Sequence, residues 1–179
     1  MNSDPNVDWP LATHRLFKAA GVNLVGFVPD AGHKRLIELC QADSTMRTVT
    51  LTSEEEGIGL AAGAWLGGER SAILMQSSGV GNTINALGMM KECRFPMLMI
   101  VTMRGEFGEF NPWQLPMGQA TRTTLEAMGA VVERANEPRE VAPSIEAALR
   151  LAYNSYVAVA VLISQRVIGI KSFQEQIDK

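Results

Sequence analysis

The most constraining feature of this sequence is a set of short segments that are apolar at successive positions. The runs MLMIV, inside a predicted strand at 96–102, and VAVAVLI, inside one at 156–164, are typical of strands buried on both faces of a sheet. Helical patterns separate them from four further predicted strands, at 23–29, 47–52, 71–76 and 130–135. The alternation predicts an open, doubly wound α/β fold with a mainly parallel six-stranded sheet and helices on both faces.

We expect a single domain over residues 1–179, because the chain is 46% hydrophobic and shows no repeat, low-complexity tract or linker. The net charge of −3 offers no basic surface for nucleic acid or an anionic membrane, so small molecules and other proteins remain as partners. The segment MNSDPNVDWP lacks the layout of a secretory signal, and we expect a cytoplasmic protein. The final segment SFQEQIDK is typical of a frayed or peripheral helix.

The sequence offers few ligands for a metal ion. Cys40 and Cys93 are far apart, and each lies in an apolar helical pattern, which predicts reduced thiols in the core. The two histidines, His14 and His33, do not complete a usual ligand set. We therefore expect no metal site made by this chain alone.

The segment SEEEGIGLAAGAWLGG, residues 53–68, places three carboxylates directly before a stretch without charge. Ser53 and Glu56 have the spacing of a capping box, in which each side chain accepts a hydrogen bond from the backbone N–H of the other residue. Glu54 and Glu55 belong to the first helical turn, where a carboxylate stabilises the positive end of the helix dipole. On spacing alone, this structural role is sufficient for both residues.

The helix that follows has no polar face. Residues 57–68 contain only glycine, alanine, isoleucine, leucine and tryptophan. A helix that is apolar all round is usually buried all round. In an outer layer of a doubly wound domain, a second protein surface would have to cover it, and the glycines would let that surface approach closely. A helix packed wholly within one subunit is the alternative.

Ligands of parallel α/β sheets bind at the carboxyl ends of the strands, so the loops after the predicted strands are the first places to look for chemistry. These loops are VPDAGH at 28–33, TSEEEG at 52–57, QSSGVGN at 76–82 and a long segment at 103–117. The QSSGVGN loop leaves backbone N–H groups at a helix N-terminus that could receive an anion. A tight turn capped by Ser77 or Ser78 explains the same pattern.

Two of these loops carry a family resemblance. The runs EEEGIGLAAGAWL and ILMQSSGVGNTINAL resemble the pyrimidine-binding domain of thiamine diphosphate-dependent decarboxylases, in particular the alpha subunits of sulfopyruvate decarboxylase and the related phosphonopyruvate decarboxylases. The resemblance extends from about Gly26 through RGEFGEFNPWQLPMG. It implies the thiamine diphosphate-binding fold and the decarboxylation of a 2-oxo acid, with sulfopyruvate giving sulfoacetaldehyde and CO₂.

In that family, one glutamate hydrogen-bonds N1′ of the cofactor's aminopyrimidine and favours the tautomer that removes the proton from the thiazolium carbon. Ungapped alignment of IGLAAG with the family's small-residue pattern implies that this glutamate is Glu54, whereas a one-residue slip would select Glu55. The resemblance also implies cofactor contacts from one loop, at Gln76, Ser77, Ser78, Gly79 and Asn82. Gln76 and Ser78 would reach the substrate as well.

These enzymes hold Mg²⁺ and the diphosphate with a G-D-G motif and later asparagines, on a separate domain. This sequence contains no G-D-G. The resemblance therefore implies a hetero-oligomer in which a beta subunit binds Mg²⁺ and the diphosphate, with thiamine diphosphate between the subunits. Subunit contacts through the helix at 54–68 would cover its apolar faces.

The VPDAGH loop places Asp30 and His33 just past the first predicted strand. Asp30 is a good cap for a helix that starts near Gly32. The resemblance implies instead that this loop borders the reacting carbon, where Asp30 or His33 would assist proton transfer after CO₂ leaves. For His33, a partly exposed helix residue without a role is the simpler explanation.

The segment RGEFGEFNPWQLPMG is long for a loop of a compact domain, and such loops are usually functional or disordered. Three aromatic residues argue against disorder: Phe107, Phe110 and Trp113. Arg104 offers paired N–H donors for a sulfonate, phosphonate or carboxylate, and it is our candidate for substrate recognition. The alternative is a surface ion pair with Glu106 or Glu109, which the sequence alone favours.

Other functions stay open at this point. Phosphonopyruvate is the nearest rival substrate, because both compounds are pyruvates with an extra anionic group. Phosphonopyruvate enzymes of this family generally carry both halves on one longer chain, which favours sulfopyruvate. A non-catalytic α/β binding module of the same fold and a flavodoxin-like nucleotide-binding protein are the remaining hypotheses.

Overall fold

The computed structural model describes residues 7–170. Its strands are β1 (Val22–Phe27), β2 (Arg47–Thr50), β3 (Arg70–Gln76), β4 (Met97–Thr102), β5 (Val131–Ala135) and β6 (Ala158–Ile163). They form one six-stranded sheet in the order β2-β1-β3-β4-β6-β5, and every neighbouring pair is parallel. The six strands predicted from the sequence are confirmed.

Helices cover both faces of this sheet. They are α1 (Trp9–Ala19), α2 (Lys34–Ala42), α3 (Glu54–Leu66), α4 (Ser77–Glu92), α5 (Leu115–Ala127), α6 (Pro138–Ser155) and the short α7 (Gln165–Ile168). Short 3-10 turns at Ala31–His33 and Pro112–Gln114 precede α2 and α5. Helices α1, α2 and α6 pack on one face, and α3, α4 and α5 pack on the other. The doubly wound arrangement is therefore confirmed.

The central strands contribute side chains to two separate hydrophobic cores. In β4, Leu98 and Ile100 belong to the core beneath α1, α2 and α6, whereas Met97, Met99 and Val101 belong to the core beneath α3, α4 and α5. Every residue of β4 and β6 is buried. Because both faces of these strands are covered, their sequences are apolar at successive positions.

The strand order reverses the direction of winding between β1 and β3. After β1 the chain passes through α2 on one face, whereas after β3 it passes through α4 on the opposite face. It therefore leaves the carboxyl ends of these two adjacent strands in opposite directions. In open α/β sheets, ligands bind in the crevice at such a point.

Two local predictions are wrong. Ser53 precedes α3, but its side chain makes no capping hydrogen bond. Glu56 accepts the backbone N–H of Thr52 at 2.7 Å, one residue before its predicted partner. Cys40 is buried as predicted, but Cys93 is exposed, because it follows the last turn of α4.

Within residues 7–170, no helix has the length and apolar character needed to cross a membrane. Over the same range, no three His, Cys, Asp or Glu side chains converge as a possible metal site. The segment SFQEQIDK lies outside the described residues, so its predicted helix stays a prediction, as does the single domain over 1–179.

Candidate active site

The carboxyl end of the sheet gathers polar side chains from four strands. Asp30 follows β1, Glu54 follows β2, Gln76 and Ser78 lie at the end of β3, and Thr102 ends β4. Hydrogen bonds sort these residues into two groups, one around Glu54 and one around Asp30.

Glu54 begins α3 and is the buried member of the acidic cluster, with 7% of its surface exposed. Its Oε2 accepts a hydrogen bond from Asn82 Nδ2, in the second turn of α4, at 2.8 Å. A Cβ at Gly79 would overlap the Glu54 carboxylate, so a larger residue does not fit there. Within the described part of the chain, Oε1 has no hydrogen-bond partner, and it is available to a group from outside.

The two neighbouring glutamates have different surroundings. Glu55 and Glu56 are both exposed, and Glu56 is engaged with the backbone before α3. Burial and the contact with Asn82 distinguish Glu54 from both of them. Among the three glutamates, Glu54 is therefore the one whose carboxylate is held within the site.

Asp30 is the centre of the second group. Its Oδ1 accepts a hydrogen bond from Gln76 Nε2 at 2.9 Å, and its Oδ2 accepts the Thr102 hydroxyl at 2.7 Å and the Gly32 N–H at 3.1 Å. Gln76 Oε1 accepts the Ser78 hydroxyl at 2.9 Å. The bond to Gly32 confirms that Asp30 caps the turn before α2. The other bonds link Asp30 to β3 and β4.

Neither serine at the start of α4 caps that helix, so this alternative reading of the QSSGVGN loop is wrong. Ser77 is fully buried; its Oγ donates to the backbone oxygen of Arg104 at 3.2 Å and accepts the Arg104 N–H at 3.0 Å. Ser77 therefore fastens the first turn of α4 to the end of β4. Ser78 remains half-buried beside Gln76.

The expectation of a partly exposed His33 is wrong, because the residue is fully buried. Its Nε2 lies 3.2 Å from the backbone oxygen of Met75, inside the sheet. Burial lowers the pKa of the His33 imidazole from its ordinary value, so the ring is neutral at neutral pH. The role of His33 in proton transfer stays a prediction.

Arg104 is committed to a carboxylate of its own loop. Its Nε and Nη2 donate to the two oxygens of Glu109, each at 2.5 Å, and both side chains are buried. The hydrogen bond from Arg104 is the main reason that the pKa of Glu109 falls to about 2, so the pair is charged at neutral pH. The predicted ion pair with Glu109 is therefore confirmed, but its predicted surface location is wrong.

A second ion pair anchors the same loop. Arg134 in β5 binds both oxygens of Glu106, each at 2.7 Å. Gln165 connects the two pairs, since its Nε2 donates to Glu109 and its Oε1 accepts the Glu106 N–H, both at 2.9 Å. The loop is held at several points while Trp113 stays 84% exposed. This fits the prediction that the segment is not disordered.

The outer side of α3 is open in this chain. An added Cβ at Gly59 or Gly63 would meet no atom within 4 Å, and Leu66 is 74% exposed. On the neighbouring α4, Ile84 and Met89 are also exposed. The alternative of a helix packed wholly within one subunit is therefore wrong. Exposed apolar side chains on two adjoining helices are typical of protein interfaces.

Known proteins are similar in sequence to this chain over most of its length. Residues 12–108 match the family model described as thiamine pyrophosphate enzyme, N-terminal TPP binding domain. The sulfopyruvate decarboxylase subunit alpha of Methanococcus maripaludis is 38% identical over 85% of this chain and 93% of its own. The chain belongs to the family of sulfopyruvate decarboxylase alpha subunits. Its relative from Methanothermobacter thermautotrophicus is 37% identical over 88% of this chain and 96% of its own.

Two further matches to this member of the alpha-subunit family are longer proteins. The phosphonopyruvate decarboxylase of Streptomyces viridochromogenes is 38% identical over 59% of this chain, which matches 27% of that enzyme. The solved 2-oxoglutarate:ferredoxin oxidoreductase from Magnetococcus marinus has a TM-score of 0.74 at 16% identity, over 89% of this chain and 29% of its own. Its similarity shows the fold alone. The family resemblance and the α/β thiamine diphosphate-binding fold are thereby confirmed.

For this member of the sulfopyruvate decarboxylase alpha-subunit family, Thr102 was not among the site residues predicted from the sequence. Its hydroxyl group contacts Asp30, a residue 72 positions earlier. The available signal was a polar residue at the carboxyl end of an otherwise apolar strand, which is where ligands of parallel sheets bind. Gln165 was also not predicted. It carries the same signal, since it follows the apolar strand β6, and its side chain reaches the loop after β4.

Proposed function

We propose that this chain is the pyrimidine-binding alpha subunit of a thiamine diphosphate-dependent decarboxylase that converts sulfopyruvate into sulfoacetaldehyde and CO₂. The observation that carries the proposal is the buried Glu54 carboxylate, which Asn82 holds by one oxygen while the other has no partner in the described residues. The reaction is supported by relatives named alpha subunits that match nearly the whole chain.

The residues around Glu54 fit an aminopyrimidine. When bound, thiamine diphosphate supplies the nucleophilic carbon and the electron sink for decarboxylation. Glu54 would hold the pyrimidine by sharing a proton with its N1′ through Oε1. Burial of Glu54 would strengthen this hydrogen bond, because the local dielectric constant is low. Asn82 fixes the carboxylate, and the absence of a side chain at Gly79 lets α4 approach it.

We assign proton transfer to the substrate carbon, after CO₂ leaves, to Asp30: once its carboxylate has taken up a proton from solvent, the carboxyl group would give that proton to the carbon and return to the carboxylate. This residue follows β1, beside the point between β1 and β3 where ligands of such sheets bind. Gln76 and Ser78 are hydrogen-bonded in series to Asp30, so their first effect is to orient its carboxylate. Their contacts with the cofactor and the substrate stay predictions, as do those of Ser77 and Glu55.

A beta subunit would complete the active site. The sequence contains no G-D-G motif for Mg²⁺ and the diphosphate, and both would be held by that partner. The outer side of α3 is suited to the contact, because Gly59 and Gly63 leave its backbone open to close approach. An interface that begins at α3 would bring the partner next to Glu54, the first residue of the same helix.

Arg104 stays our candidate for the anionic group of the substrate. Glu109 engages Nε and Nη2, and the N–H groups of Nη1 take no part in that pair. Glu109 would keep the guanidinium in a fixed orientation while Nη1 binds a sulfonate or phosphonate oxygen. A buried, preoriented guanidinium loses little side-chain freedom when it binds an anion.

The proposal is tested by substrate preference in the reconstituted complex. The alpha chain and its beta partner, with thiamine diphosphate and Mg²⁺, are supplied with sulfopyruvate, phosphonopyruvate or pyruvate, and the aldehyde product is measured. We expect kcat/KM for sulfopyruvate to exceed that for phosphonopyruvate by about tenfold or more. A preference for phosphonopyruvate would assign the chain to the rival substrate. A complex that binds the cofactor but decarboxylates none of the three would identify a non-catalytic module.

A further inference from the structure

We propose that Thr102 is a positioning residue that fixes the Asp30 carboxylate for proton transfer. This inference rests on the proposed function, since it concerns the step assigned to Asp30. Thr102 is the last residue of β4, and its side chain is fully buried between the sheet and the loop after β1. A fully buried side chain does not contact substrate directly, so its effect passes through Asp30.

The contact between these residues is short and specific. The Thr102 hydroxyl lies 2.7 Å from Asp30 Oδ2 and 3.5 Å from the backbone oxygen of Met75, so the carboxylate is the better acceptor. A Cβ at Gly32 would come within 2.9 Å of Thr102 Cγ2 and 2.8 Å of Asp30 Oδ2. The turn after β1 therefore lies directly against Thr102, and a larger residue at 32 would push them apart.

All the hydrogen bonds in this group are donated toward Asp30. Ser78 donates to Gln76, Gln76 donates to Asp30 Oδ1, and Thr102 donates to Asp30 Oδ2. Donors on β3 and β4 thus hold different oxygens of one carboxylate, and this prevents its rotation. Without the Thr102 hydroxyl, Oδ2 would keep only the longer contact with the Gly32 N–H, at 3.1 Å.

Proton transfer depends steeply on the placement of the donor and the acceptor. The loss of the Thr102 hydroxyl should therefore act on kcat, whereas substrate binding, which does not involve Thr102, should change little. Thr102→Val keeps the branched shape and removes the donor. Thr102→Ser keeps the donor and removes only a methyl group.

The experiment measures kcat and KM for sulfopyruvate in the complete alpha–beta complex with cofactor and Mg²⁺. We expect Thr102→Val to lower kcat about tenfold with KM within about threefold of wild type, and Thr102→Ser to retain most of kcat. Affinity for thiamine diphosphate, measured by quenching of tryptophan fluorescence, should be unchanged in both variants. Wild-type kcat in Thr102→Val, or an equal loss in Thr102→Ser, would overturn the proposal.

A double-mutant cycle separates this inference from the proposed function. If Thr102 acts through Asp30, Thr102→Val should have no further effect on kcat in an Asp30→Asn background. Additive losses in kcat would overturn the positioning role even if the wild-type complex decarboxylates sulfopyruvate normally. A wild-type complex without decarboxylase activity would overturn the proposed function and, with it, the step assigned to Asp30. In that case, additive effects of the same variants on Tm would also exclude the Thr102–Asp30 contact.

Discussion

Replacement of Glu54 by glutamine is expected to lower kcat by about 10²- to 10³-fold while the subunits still assemble and bind the cofactor. Glutamine has the same shape and can accept a hydrogen bond from Asn82, so the contact at Oε2 is retained. The amide cannot share a proton with N1′ of the pyrimidine in the way that a carboxylate does. The loss should therefore appear in the chemical step rather than in KM.

Glu55→Gln is the control variant that distinguishes the two glutamates. Glu55 lies one residue further along the same turn but is exposed, and we expect its replacement to leave kcat within about threefold of wild type. Both variants are measured by CO₂ release in the complex, with assembly checked by size-exclusion chromatography and light scattering. A large loss in Glu55→Gln with normal turnover in Glu54→Gln would reassign the pyrimidine contact to Glu55.

Replacement of Gly63 by arginine is expected to stabilise the isolated chain but to prevent assembly. Arginine favours the helical state over glycine by about 0.5–1 kcal/mol, and a Cβ at Gly63 meets no atom of this chain. A long charged side chain on the proposed interface would block close approach and lose its hydration on binding. We expect affinity for the beta subunit to fall on the order of 100-fold, measured by isothermal titration calorimetry.

Ala147→Arg provides the matched control for Gly63→Arg. Ala147 is an exposed residue of α6, on the opposite face of the sheet from α3. The same added charge at that position should leave the affinity for the beta subunit unchanged. Equal affinities for Gly63→Arg and wild type would show that the outer side of α3 is not the subunit interface.

Much of the fold could be predicted because its main signals are local. The apolar runs of β4 and β6 identify strands covered on both faces, and all six predicted strands are present. The boundaries of α3 were equally clear, since Ser53 and the three glutamates mark its first turn and glycines follow Leu66. The capping contacts themselves were not predictable, because Ser53 and Glu56 each have several backbone groups within reach.

The sequence predicted which loops carry the residues of the candidate site, but not the contacts between those residues. The loops after β1, β2 and β3 pointed to Asp30, Glu54 and Gln76, but no local pattern joins Thr102 to Asp30 across 72 residues. The burial of Glu109 could not be predicted from the sequence either, because its partners Arg104 and Gln165 come from the ends of two different strands. Such contacts depend on strand order, which the sequence alone did not specify.

The most direct test of the central claim is CO₂ release from sulfopyruvate by the purified alpha chain, by the proposed beta subunit, and by their mixture, each with thiamine diphosphate and Mg²⁺. If Glu54 supplies one half of the active site and the partner the other, neither protein turns over alone and the mixture does. Full activity in the alpha chain alone, or none in a mixture that assembles, would contradict this account.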